Sequence, residues 1–414
     1  MKLNKYSFGV GDRFAHQAKA QLKAIINAKQ AGVSITPVWN KSYREHQIIG
    51  SQSVTTREQA DLAVKSLGWD DPYFLDADHI NLSNVDFFLD SCDFYTIDVA
   101  DFIGEKAEPA LIDSFVKSCK QYIGWITLPV LETQIEINEQ LIQSVAEKYL
   151  FAAQEAGRIY RYIKRQKTGQ SFVTEVSMDE TNEPQNPVEL FLILAALANE
   201  KVRLQTIAPK FSGRFNKGVD YVGDLRRFET EFEQDLAVIN FAVKEFGLPE
   251  PLKLSVHSGS DKFSLYPIIR KALQRFDAGL HIKTAGTTWL EELIGLAEAR
   301  GEGLQIAINI YKESQGRFDE LCAPYATVID IDKQKLPAPE EVDQWDGEKF
   351  SQTLRHDQNN PNHNLQFRQL MHVGYKVASQ MGDMYLKALE ENEAVIAKNV
   401  TENIFERHIK HLFL

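Results

Sequence analysis

Cysteine is scarce in this chain. Cys92, Cys119 and Cys322 are its only three, they are far apart in 414 residues, and no two stand in C-x-x-C spacing. A disulfide framework is thereby excluded, and a reducing, cytoplasmic setting is expected. No window approaches the roughly 18 uninterrupted apolar residues of a membrane span. The opening Met1-Lys2-Leu3-Asn4-Lys5-Tyr6 lacks the apolar core of a secretory signal. Basic runs are also missing. The densest, Arg161-Tyr162-Ile163-Lys164-Arg165-Gln166-Lys167, reads as a solvated helix end in a chain of net charge −12. Neither nucleic acid nor a membrane surface is an expected partner for a field of that sign. Phe8-Gly9-Val10-Gly11-Asp12-Arg13 holds only two of the three glycines of a dinucleotide fingerprint, which argues against that cofactor.

What is present is an alternation of short apolar, β-branched runs with amphipathic helical stretches. The runs fall at 7–10, 34–39, 73–77, 94–99, 171–176, 203–208, 252–257 and 280–284. Helices are expected between them at 15–30, 56–67, 107–123, 187–200, 224–246 and 264–274. Such alternation means parallel strands with right-handed crossovers. Eight of them suggest an α/β fold closed as a (β/α)8 TIM barrel, with an open doubly wound sheet as the runner-up. The long interval from 99 to 171 holds a further candidate strand at 126–131 and a helical excursion at 135–168. Residues 1–303 are expected to form the barrel, with 289–300 as its last helix. Residues 304–414 are expected to be a mainly helical C-terminal extension packed on it, with short strands at 304–310 and 325–331 and helices at 366–391 and 394–412.

Catalytic groups of such a barrel gather at the C-terminal ends of the strands. Reading those ends gives Asp12, Arg13 and His16, then Asn40 and Lys41, Asp76, Asp78 and His79, and Asp98 and Asp101. The remaining strands add Glu175 and Asp179, Lys210, His257, and His281 with Lys283. So many ionisable groups aimed at one face point to an enzyme. A lone strand histidine is commonly a satisfied interior residue. His257 and His281 on adjacent strands, with Asp78-His79 on a third, instead suit a divalent metal site. His79 is the expected third ligand, with Glu175 as its rival. Nitrogen-rich ligation favours zinc, iron, manganese, cobalt or nickel over magnesium or calcium. Asp78 suits a proton acceptor or a helix cap. Glu175 suits a second acid–base group or an ion-pair partner of Lys210 or Arg203. Ser258-Gly259-Ser260-Asp261-Lys262 reads as an anion-binding nest or as a capping turn. Arg13, Lys210, Lys262 and Lys283 stand out against an acidic background, so a small anionic substrate is expected, with Asp12, Ser258 and Asp261 beside them.

Two long motifs carry a resemblance. Ser255-Val256-His257-Ser258-Gly259-Ser260-Asp261-Lys262-Phe263-Ser264 is followed by Tyr266-Pro267. Leu280-His281-Ile282-Lys283-Thr284-Ala285-Gly286-Thr287-Thr288-Trp289-Leu290-Glu291 comes next. With Asp76-Ala77-Asp78-His79 and Thr174-Glu175-Val176, they resemble the tagaturonate epimerase family of hexuronate catabolism. The likeness covers roughly 5–300. It implies a divalent-metal epimerase interconverting D-tagaturonate and D-fructuronate, with Asp78 as proton acceptor, Glu175 as proton donor, and His79, His257 and His281 on the metal.

The inverted carbon in that reaction is a carbinol β to the ketone, so its C–H is not acidified directly. Retro-aldol cleavage and re-addition avoid the problem. A metal-dependent sugar-acid aldolase or isomerase would use the same groups. A non-catalytic sugar-acid sensor would need neither the two carboxyls nor the histidines. Association of this chain into a homo-oligomer is compatible with these features.

Overall fold

The computed structural model describes residues 1–284 and 286–414. Its barrel strands are β1 (Tyr6–Gly11), β2 (Ile35–Ser42), β3 (Phe74–Ile80), β4 (Phe94–Asp98), β7 (Val173–Ser177), β8 (Thr206–Ala208), β9 (Lys253–Val256) and β10 (Leu280–Lys283). They close in the order β1-β10-β9-β8-β7-β4-β3-β2, all parallel, as a (β/α)8 barrel wrapped by helices. The remaining pair, β5 (Gly124–Thr127) and β6 (Gln134–Ile137), is an antiparallel hairpin outside the barrel. Thus the candidate strand at 126–131 belongs to no barrel wall, and the helical excursion begins only after β6, at Glu139–Gln166.

The strand interiors change character along their length. Leu3, Val38, Phe74, Phe94 and Val173 form a small apolar cluster of their own. One alternation higher on three of these strands stand Asp76, Thr96 and Glu175, where side chains of one face recur every second residue. The barrel is therefore plugged by an apolar layer and then a charged layer. Gly9 on β1 makes room for the charged layer, because a Cβ there would lie 3.2 Å from Lys283 Cγ.

Residues beyond the barrel helices are mainly helical, and they pack onto it. The expected strand at 304–310 lies inside the helix Gly301–Gly316, and 325–331 forms no strand among the described residues. Leu304, Ile306, Ile308 and Ile310 recur at every second position, which favours a strand reading. The helix buries Gly303, Ile306, Ala307, Ile308, Ile310, Tyr311 and Ser314, so its apolar side is too wide to betray a helical period. The helix Glu393–Glu402 lies on the barrel helices Ala18–Gln30 and Thr287–Ala299, where a Cβ on Gly295 would come within 2.6 Å of Ile396 Cγ1. No described helix is long and apolar enough to cross a membrane.

Candidate active site

The charged layer is organised around one ammonium. Lys283 Nζ crosses the barrel from β10 and lies 2.7 Å from Asp76 Oδ2, 2.7 Å from Asp78 Oδ1 and 3.1 Å from Glu175 Oε1. It also donates to Thr96 Oγ1 at 2.6 Å. All of these groups are buried. Burial opposes the charge on Lys283, yet Asp76, Asp78 and Glu175 hold it well above the ordinary lysine range. One cation cannot satisfy three anions equally. Burial, outweighing the pull of Lys283, pushes Asp76 up to about 6, whereas Lys283 with the nearby imidazoles overcomes burial and holds Asp78 and Glu175 well below the usual carboxylate range.

Above this layer, His79, Asp179 and His257 come together, each offering one ligand atom within 4.8 Å of the others. Asp179 Oδ1 stands between the two rings, 3.0 Å from His257 Nδ1 and 3.3 Å from His79 Nε2. The other ring nitrogens reach the carboxylates below, His257 Nε2 to Glu175 Oε1 at 2.6 Å and His79 Nδ1 to Asp78 Oδ1 at 3.0 Å. His79 reaches this position through a left-handed backbone (φ 54°) where the register of β3 against β4 shifts between Ala77 and Ile80. A non-glycine residue held at positive φ beside a bulge marks a site whose aim is worth its strain. Burial alone would depress both imidazoles. Asp179 and Glu175 instead raise His257 to about 9, and Asp78 with Asp179 holds His79 well above its ordinary value.

Two imidazoles and one carboxylate are a fitting donor set for a divalent transition-metal ion. The negative field that raises both rings would draw a dication into the same place. The glutamate and aspartate beneath would orient the rings, as carboxylates behind ligating histidines do.

The group opens into a cavity of about 670 Å³. Its walls include Asn40 from β2, Lys210, Lys217 and Ser258 from the barrel loops, and Ala326 to Asp330 from the C-terminal region. That region therefore covers the mouth of the barrel.

Of the residues singled out from sequence, Asp78, His79, His257, Ser258, Lys210 and Lys283 line this cavity, and Glu175 lies directly beneath it. Five others sit elsewhere. His281 is two residues below Lys283 on β10, in the apolar layer, with its ring 5.3 Å from Phe94 and its Nδ1 2.9 Å from Ser7 Oγ. Burial pushes it down to about 3, so it is a neutral interior histidine outside the His79–Asp179–His257 group. Arg13 is turned away, paired with Glu45 at 3.1 Å and stacked 3.8 Å over the Tyr375 ring. Asp12 accepts the Gln17 N–H at 2.6 Å. Asp261 is paired with Arg368 at 2.7 Å. Lys262 donates to the carbonyls of Asn216, Val219 and Ser260. Each of these four is committed to holding loops or the C-terminal region in place.

A family model described as tagaturonate epimerase matches residues 1–412. The chain belongs to the tagaturonate epimerase family. It is 29% identical over 421 residues to the tagaturonate/fructuronate epimerase of Thermotoga maritima, covering 97% of this chain and 80% of that protein. Crystal structures of fructuronate-tagaturonate epimerase UxaE from Cohnella laeviribosi, with one and with two glycerols, share the fold at TM-scores of 0.80 and 0.81. Their sequences are 24% identical to this chain, and they cover 100% of it and 82% and 83% of their own chains. This member of the epimerase family is accordingly an enzyme of the isomerase class, acting on carbohydrate.

Within this epimerase, Asp179 is the member of the group that strand-end reading noticed without giving it a role. Its signal was the spacing from Glu175, four residues on and just past the end of β7. Ala285, in the second family motif, lies outside the described residues.

Proposed function

We propose that this epimerase interconverts D-tagaturonate and D-fructuronate with a divalent metal held by His79, Asp179 and His257. The observation that carries the reading is the His79–Asp179–His257 group seated over an ionised Asp78 and Glu175 that share one lysine. The relatives named above, and the family itself, support the choice of uronates.

A bound divalent cation would supply charge stabilisation to a substrate oxygen that becomes anionic. The protein's own groups do the rest. Asp78, anionic because Lys283 and His79 hold it so, removes the proton of the hydroxyl on the carbon to be inverted. The electron pair of that O–H becomes the carbonyl of an aldehyde fragment. The bond to the neighbouring carbon breaks, and its pair passes into an enediolate conjugated with the former ketone. Rotation of the aldehyde presents its other face. Re-formation of the carbon–carbon bond returns an alkoxide of opposite configuration, now on the Glu175 side. Lys283 spans Asp78 and Glu175 at 2.7 and 3.1 Å, so the proton taken up by Asp78 can be relayed through the ammonium to Glu175, which returns it to the new alkoxide and is left ionised as before. Lys210 and Ser258 stand on the cavity wall to hold the anionic substrate and its fragments.

The test is turnover of each uronate by purified protein before and after chelation, with metal re-added singly as zinc, iron, manganese, cobalt or nickel. Metal-dependent conversion in both directions supports the reading. Solvent deuterium entering the inverted carbon, with no aldehyde fragment trapped by hydroxylamine, would rule out the cleavage route.

A further inference from the structure

We propose that Lys217 anchors the substrate carboxylate, held on Ser258 by a buried scaffold built from Lys262 and Arg368; this rests on the uronate reading above. The cations around the cavity are not equivalent. Lys283 is spent on three carboxylates, and Arg214 is paired with Asp330 at 2.8 Å. Arg44 lies 5.3 Å from the centre of the Tyr325 ring. Among the described residues Lys217 has no carboxylate partner, and its Nζ donates to Ser258 Oγ at 3.1 Å. Lys210 also lacks one among the described residues, but of these two it is Lys217 whose ammonium is held by a neighbouring side chain. Ser258 directly follows His257, and both line the same cavity as Lys217, so the held ammonium faces the space into which the His79–Asp179–His257 group opens.

The loop that carries Lys217 is fixed at each residue. Its own N–H donates to Val328 O at 2.8 Å. The carbonyls on either side, of Asn216 and Val219, both accept from Lys262 Nζ, at 2.9 and 2.7 Å. Gly218 turns through φ 73°, and its carbonyl accepts from Arg368 Nε. Arg368 in turn is locked to Asp261 at 2.7 Å. A loop without regular structure gains no rigidity from a ladder of its own, so these buried cations supply it. Lys262 therefore acts as a positioning residue, through Lys217. The arrangement gives a reason for an enzyme to bury a lysine whose three bonds all end on carbonyls. A fixed cation binds a carboxylate without first losing the freedom of a loose side chain. It also separates a uronate from a neutral ketose of the same skeleton.

The experiment uses the metal-loaded full chain, with steady-state kinetics on tagaturonate and calorimetric binding of the same compound. Lys217→Met is expected to raise KM about 10- to 100-fold, the worth of one charge-assisted hydrogen bond. kcat should stay within roughly threefold, because the contact is uniform between ground and transition states. Lys217→Arg should recover most of the loss. Lys262→Met should raise KM in the wild-type background and add nothing once Lys217 is Met, since both act through one ammonium. An unchanged KM in Lys217→Met, with wild-type turnover intact, overturns the anchor and leaves the epimerase reading standing. Full additivity of the two substitutions overturns the role of Lys262. Wild-type protein that binds tagaturonate without converting it overturns the reading of the reaction, and the calorimetric ratio of wild type to Lys217→Met then decides the anchor alone. Absence of any binding overturns both.

Discussion

Lys283 Nζ lies 2.7 Å from Asp76 Oδ2 in the closed interior of the barrel, one layer beneath the imidazoles of the site. Lys283 also touches Asp78 and Glu175, which makes it the hub of the charged layer. Removing the ammonium leaves three buried carboxyl groups around a void. Lys283→Met is expected to cost about 3–5 kcal/mol of stability, the penalty of stripping one partner from a buried ion pair. Asp76→Asn in the same chain should return part of that loss, because it deletes a carboxyl already pushed up to about 6. Denaturant titration of the wild type, the single variant and the double variant checks this. A loss below about 1 kcal/mol would mean that water reaches the layer.

The metal-site proposal makes a separable prediction about four residues. His257→Ala and His79→Ala should abolish stoichiometric metal, and Asp179→Asn should weaken it, with activity lost in step and far-ultraviolet circular dichroism unchanged. His281→Asn should keep the metal, because that ring sits in the layer below, beside Phe94 and Ser7. Metal content by plasma emission after dialysis is the readout. Retention of metal by His257→Ala would sink the ligand set.

The sequence was informative where chemistry and periodicity coincide. Apolar β-branched runs ending in acids, histidines or lysines located all eight barrel strands, and with them Asp78, His79, Glu175, His257 and Lys283. Depth was harder to read. Strand alternation assigns His281 and Lys283 to one face but does not say which of them reaches the mouth. Composition left Ser258 to Lys262 open, because an anion-binding nest and a buried structural turn use the same small and polar residues. What decides between them is Arg368 and His408, more than a hundred positions away, with no local trace. Lys217 comes from an irregular segment, where no period exists to be noticed, and the wall at 326–330 falls in the apolar run that reads as a strand and forms none among the described residues.

Acid should weaken the hold of the C-terminal region through His408. This ring is buried and donates from Nδ1 to the Asn403 carbonyl, while its Nε2 accepts the Asp261 N–H at 3.0 Å. Burial, helped by Arg407 and Arg368, pushes it down to about 4 despite Asp261. The unfolded chain takes up a proton near pH 6.5 and the folded one only near 4, so the unfolded state binds more protons between those values. Stability contributed by neutral His408 is therefore present above about pH 6.5 and is lost as pH falls toward 4, by about 2 kcal/mol between pH 7 and pH 5. His408→Gln should flatten the fall over that window by this amount. Denaturant midpoints of both proteins at pH 7 and pH 5 give the comparison, and parallel slopes would show that His408 does not titrate in this way.

Asp261 and Arg368 supply the last test, because they join the barrel to the C-terminal region with both side chains fully buried. Arg368 also donates to the carbonyls of Gly218 and Leu354, so it ties a barrel loop to two parts of the later chain. Arg368→Met leaves an anionic Asp261 facing only His356 and His408 at 3.7 Å each, and should cost about 3–5 kcal/mol. Asp261→Asn alone should cost less, since a neutral amide still bonds to the guanidinium. The pair changed together to Asn and Met should recover a coupling of more than about 1 kcal/mol relative to the sum of the singles. Hydrogen exchange reports where the loss falls. Faster exchange confined to 216–219 and 356–373 is the expected pattern, because those segments meet at this pair. Exchange raised evenly through the barrel strands would show instead that the ion pair supports the whole fold rather than the seam between its two parts.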